Sequence, residues 1–105
     1  MKVYKYRPEE KDGSAAATSA GLWSGNTESL AGGMCYQVLV KAGSEDTVFD
    51  LAIIDNHDVE VRKFTDITEV INDLTPWLAK GVHTVKISDA TKDEDFTVLL
   101  CFRDI

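Results

Sequence analysis

The chain has 105 residues and a mass of 11.6 kDa, room for one domain around one core. Hydrophobic residues make up 44% and charged residues 28% of it, the balance of a packed globular protein rather than a disordered one. Its 18 acids against 11 Lys and Arg give a net charge of −7, which argues against broad nucleic-acid binding, and no apolar run approaches a membrane span.

The opening MKVYKYRPEE lacks the apolar stretch of a secretory signal, so an unprocessed protein made in the cytoplasm is expected. Charge is unevenly spread. Residues 1–11 carry Lys2, Lys5, Arg7 and Lys11 against Glu9 and Glu10, and the rest of the chain is strongly acidic. Val3, Tyr4 and Tyr6 alternate with Lys, which suits an edge strand of the domain or a strand added to a neighbour. The segment Pro8–Ala20 (PEEKDGSAAATSA) is polar, small and without periodicity. Residues 1–20 therefore read as an extended arm and residues 21–105 as the folded domain.

From Gly21 the apolar period is two, interrupted by turn residues. Leu22 and Trp23 begin a short strand ending at Ser24-Gly25-Asn26, and Ala31-Gly32-Gly33 breaks the chain before MCYQVLVKA. There Tyr36, Val38 and Val40 are expected on one face, with Gln37 and Lys41 on the other. TVFDLAIID places Phe49, Leu51 and Ile53 together. Asp55-Asn56-His57-Asp58 is a tight turn into VEVRKF. In TDITEVINDL, Ile67, Val70, Ile71 and Leu74 fall at helical spacing, and Asp66 with Glu69 would make a capping box. The spacing predicts a short helix, with an irregular strand as its rival. Pro76-Trp77-Leu78 then reads as a crossover and Lys80-Gly81 as a turn. GVHTVKIS and DFTVLLCFR are strands, the second gathering Phe96, Val98, Leu100 and Phe102 on one face and remaining apolar on the other. Six to eight short strands with regular turns predict an all-β domain, an antiparallel β-sandwich or jelly roll.

Few residues promise chemistry. His57 sits in a polar turn and His83 among alternating Val and Ile, so structural duty outweighs catalysis for both. No nucleophile–base pair, phosphate loop or zinc motif occurs, and the expectation is a protein that is not an enzyme and carries no cofactor. Cys35 and Cys101 would meet in a disulfide only if their strands lie side by side; two reduced thiols are favoured. The carboxylates of Asp55 and Asp58, or of Asp89, Asp93, Glu94 and Asp95, could be offered to calcium, but neither group matches an EF-hand loop and solvated turns are the simpler account. Trp23 and Trp77 suit either a sugar-stacking platform or a buried anchor, the latter being favoured.

The pieces YQVLVK (Tyr36–Lys41), VFDLAIID (Val48–Asp55) and GVHTVKISDATKDEDFTVLL (Gly81–Leu100) resemble small β-rich virion proteins encoded among the structural genes of tailed bacteriophages. The resemblance covers residues 33–102 and carries over no site residues. It implies a non-catalytic building block, foremost a capsid decoration or cement protein that binds the shell surface as a dimer or trimer. A head–tail connector, tail or fibre-associated component is the alternative within the virion. The partner would be the major capsid protein or another virion protein, with no nucleic acid and no membrane. On that basis Val3, Tyr4 and Tyr6 are candidate contacts of the arm, and Trp23, Trp77 and Phe102 candidate buried anchors. A carbohydrate- or ligand-binding β-sandwich module, using Trp23 or Trp77 with turn carboxylates, is the rival of a different class.

Overall fold

A computed structural model of the protein describes residues 3–6 and 17–104. Among these there is no helix; nine strands form two antiparallel sheets. In chain order they are β1 (Val3–Tyr6), β2 (Trp23–Asn26), β3 (Leu30–Ala42), β4 (Val48–Ile54), β5 (Glu60–Thr68), β6 (Val70–Asp73), β7 (Trp77–Gly81), β8 (Thr84–Ser88) and β9 (Phe96–Asp104). The five-stranded sheet runs β1-β9-β3-β6, with β7 also paired to β3; the four-stranded sheet runs β2-β8-β4-β5. The chain is an antiparallel β-sandwich.

The core follows from the period of two. Phe49, Leu51 and Ile53 of β4, Val85 and Ile87 of β8, and Val98, Leu100 and Phe102 of β9 are all buried, facing one another between the sheets. Each such side chain contributes about 1.5–3 kcal/mol by leaving water. Phe96 is the keystone: its ring lies edge-on to Phe49 at 5.0 Å and to Trp23 at 6.2 Å. Arg62 closes one flank by reaching from the four-stranded sheet to the other. Its guanidinium carbon sits 4.9 Å from the Trp77 ring, its Nε 3.8 Å from Asp73, and it donates to the Pro76 carbonyl.

Four expectations change. The helix over Thr65–Leu74 is absent: β5 ends at Thr68, Glu69 turns the chain, and β6 begins at Val70. Asp66 and Glu69, the supposed capping pair, both hold left-handed backbone conformations (φ 53° and 63°), which an α-helix cannot contain. A two-turn helix is marginal alone, whereas the free edge of β3 offers Val70 and Ile71 backbone partners. The Gly32-Gly33 pair does not break the chain but lies within β3, where the pairing with β7 shifts register between Leu30 and Gly33. Trp77-Leu78 of the expected crossover and the expected turn at Lys80-Gly81 belong instead to β7, which Pro76 immediately precedes. Tyr36 leaves the face of Val38 and Val40, because a bulge between Cys35 and Gln37 puts Cys35 inward in its place.

The expected arm divides. Val3–Tyr6 pairs with β9 of the same chain, Tyr4 opposite Phe102 and Tyr6 opposite Leu100. From Ala17 onward the backbone is tied to the β8–β9 connection: Ala17 N–H donates to the Glu94 carbonyl, and Asp93 N–H to that of Ala17. Gly21 (φ 75°) passes so close to Ala90 that a Cβ would stand 2.4 Å from its carbonyl oxygen. The rest of the proposed arm, residues 1–2 and 7–16, lies outside the described residues.

Candidate functional site

The residues singled out by sequence do not assemble into one site. Trp23 and Phe102 are 2% and 1% exposed and belong to the chain's own core, with no surface to offer a partner or a sugar. Trp77 is half-buried beneath Arg62, so that ring is not an open stacking platform either. Of Val3, Tyr4 and Tyr6 the register with β9 is what can be stated.

The turn carboxylates serve the fold. Asp55 accepts hydrogen bonds from the backbone N–H groups of His57 and Val59, both at 2.9 Å, which closes the β4–β5 hairpin and holds its carboxyl below the usual range. Glu94 is buried and accepts from Ser44 N–H at 2.7 Å, fastening the β3–β4 turn to the β8–β9 connection. No group of three or more His, Cys, Asp or Glu side chains that could hold a metal ion occurs among the described residues.

The histidines and thiols are not poised for catalysis. His57 is exposed in its turn. His83 is buried in the β7–β8 connection, with Nδ1 3.3 Å from the Gly81 carbonyl, and burial lowers its pKa. Cys35 faces the core and Cys101 the opposite side of the same sheet, so the strands are adjacent yet the thiols stay free. Burial pushes the Cys35 thiol up to about 12, leaving almost no thiolate at neutral pH.

What the fold does build is a groove of about 570 Å³ across the outer face of the four-stranded sheet. That is within the range of small-molecule sites, roughly 300–1,000 Å³. Its floor is set by register. Ser24 of β2, Lys86 of β8, Ala52 of β4 and Lys63 of β5 stand opposite one another in one row spanning all four strands. The next row is Asn26, Thr84, Ile54 and Glu60. Cross-strand partners project from the same face, so the hydroxyl of Ser24, two ammonium groups and the Glu60 carboxylate surround the small apolar floor of Ala52 and Ile54. On the far side, Asp50 and Asp89 share a hydrogen bond, and it raises the Asp89 pKa. Such a surface can hold a hydrated polar ligand by hydrogen bonds and charge. It contains no His or Cys to act as base or nucleophile. Sequence reasoning missed it because Ala52, Lys63 and Lys86 lie on three strands whose alignment depends on bulges in β4–β5.

No family model matches this sequence, and no curated protein matches it. Solved structures do. The chain is similar to the CBM36-1 domain of a multidomain xylanase from the hindgut metagenome of Trinervitermes trinervoides, with a TM-score of 0.51 and 7% identity over 99% of this chain and 98% of that one. A ruminal GH26 endo-β-1,4-mannanase aligns over the whole chain and 26% of its own length, at 13% identity and a TM-score of 0.48. An exo-β-1,3-galactanase from Phanerochaete chrysosporium aligns over 97% and 29%, at 13% identity and 0.47. The first of these shows a shared β-sandwich fold.

Proposed function

We propose that this protein is a non-catalytic binding module that holds a saccharide in the groove on its four-stranded sheet. The observation that carries this reading is the row Ser24–Lys86–Ala52–Lys63, a polar rim around a small apolar floor. Sugars present that combination in reverse, hydroxyls around an apolar ring face. The fold shared with a CBM36 domain is consistent with it. The reading differs from a Trp platform in mechanism: hydrogen bonds and charge, rather than stacking on Trp23 or Trp77, supply the contacts.

A glycan array followed by calorimetry tests it. The expected outcome is binding of at least one oligosaccharide that is abolished by Ala52→Leu, a side chain that would stand in the middle of the groove. Ala52 faces outward, so that variant should keep its stability within about 0.5 kcal/mol. A folded wild-type protein that binds no glycan would remove the reading.

One observation favours the structural-protein alternative. The outer face of the five-stranded sheet carries Met34, Tyr36, Leu39 and Leu99 with Leu78, which is 76% exposed. Lys41, Lys80 and Arg103 stand among them. A phage shell protein with an apolar, acidic-rimmed surface would complement this face, and Leu78→Ser is the variant that tests it.

A further inference from the structure

We infer that the groove selects a saccharide bearing a carboxylate, a uronic acid, over a neutral one; this rests on the saccharide reading above. Lys86 and Lys63 flank Ala52 in one cross-strand row, on the strands either side of β4. Two strand spacings separate their backbones, about 10 Å, and only a methyl group stands between them. Among the described residues neither ammonium is paired with a carboxylate. Two cations held apart on a rigid sheet, with a gap between them and neither engaged in an ion pair, form a clamp for one anion. A carboxylate set over Ala52 can accept from both ammonium groups at once.

The surroundings limit how much negative charge the ligand can bring. Glu60 stands in the row on one side, while on the other Asp50 stands opposite Ser88 and shares a hydrogen bond with Asp89. A densely sulfated chain would bring anions against those carboxylates, and like charges at such distances repel. One carboxylate per ring, with hydroxyls elsewhere, satisfies both demands. The anion meets the lysines, and the hydroxyls meet Ser24, Ser88 and Glu60.

The test compares oligomers of glucuronate, galacturonate and mannuronate with the methyl esters of the same oligomers, which keep every hydroxyl and lose the charge. Calorimetry is run on the wild-type chain and on the double variant Lys63→Gln, Lys86→Gln. At least one acid oligomer should bind about tenfold tighter than its ester at low salt, and the gap should shrink at about 0.5 M salt. In the double variant acid and ester should bind alike, with the thermal melt confirming that it is folded. Equal binding of acid and ester by the wild type overturns this inference and leaves the saccharide reading in place. A gap that survives the double variant, or tighter binding of a sulfated oligosaccharide than of any uronate, does the same. Failure of every uronate, ester and neutral glycan to bind removes both.

Discussion

The two outer faces of the sandwich are built by the same alternation and end up with opposite characters. On the four-stranded sheet the outward positions over the groove hold Ser24, Lys86, Lys63, Thr84 and Glu60, which water solvates readily, around Ala52 and Ile54. On the five-stranded sheet they hold Met34, Tyr36, Leu39, Leu78 and Leu99 with Lys41, Lys80 and Arg103 among them, and Cys101 beneath is 3% exposed. The difference lies in the size of the outward apolar side chains: β3 and β9 place Met34, Tyr36, Leu39 and Leu99 outward, whereas over the groove β4 and β8 place Ala52, Ile54, Thr84, Lys86 and Ser88. A face of small and charged side chains suits a hydrated ligand of ring size. A face of Leu and Met gains from contact with a broad apolar surface. Each face therefore favours its own kind of partner, and the proposals above can be broken separately.

The largest expected effect falls on the layer that both faces share. Phe49 is fully buried and meets Phe96 edge-on, so Phe49→Ala leaves a cavity against the ring that joins the two sheets. A loss of about 3–5 kcal/mol is expected in chemical denaturation, with the groove and the apolar face failing together. Groove binding that outlives the loss of tertiary structure would mean that the binding surface is not this sheet.

The alternation that makes Phe49 critical is legible in the sequence, as are the inward sets of β8 and β9 and the Asp55 turn. What was not legible depends on partners distant in sequence. Thr65–Leu74 has helical spacing, and only the free edge of β3 and the left-handed Asp66 and Glu69 make it two strands. Tyr36 is turned outward by a bulge that MCYQVLVKA does not announce. The groove is hidden for the same reason, since no local pattern aligns Lys63, Ala52 and Lys86. The apolar second side of DFTVLLCFR was visible, and it is the half of the comparison that the sequence foretold.

An intermediate effect concerns the segment that joins the faces. His83 lies where the chain passes from β7 in one sheet to β8 in the other; its carbonyl accepts from Thr27 N–H and its own N–H donates to the Thr27 hydroxyl. Burial lowers its pKa below the ordinary 6.5, against the Gly81 carbonyl and the Asp55 charge, which both favour protonation. The folded state thus binds the proton less readily than the unfolded chain. Its contribution to stability is complete above about pH 6.5 and is lost as pH falls through the lower folded value. The Tm should drop between pH 7 and pH 5, and His83→Gln should flatten that part of the profile. Asp89, with a raised pKa, acts in the opposite sense, losing its contribution as pH rises, so it cannot produce an acid-side drop. An unchanged slope in His83→Gln would assign the acid sensitivity to another group.

The smallest effect on stability is the sharpest test of the apolar face. Leu78 projects from β7 opposite Met34 and is 76% exposed, so Leu78→Ser removes little buried area. Its stability should change by less than about 0.5 kcal/mol, and saccharide binding in the groove on the other sheet should not change at all. If the five-stranded sheet is a protein-docking face, the same substitution reduces co-sedimentation with phage shells, because it puts a hydroxyl where a desolvated methyl pair would sit. If co-sedimentation is absent in the wild type, or is the same with Ser at this position, the apolar face does not mediate shell attachment. The polar face then keeps its reading as the binding surface, because none of its residues lies on β7.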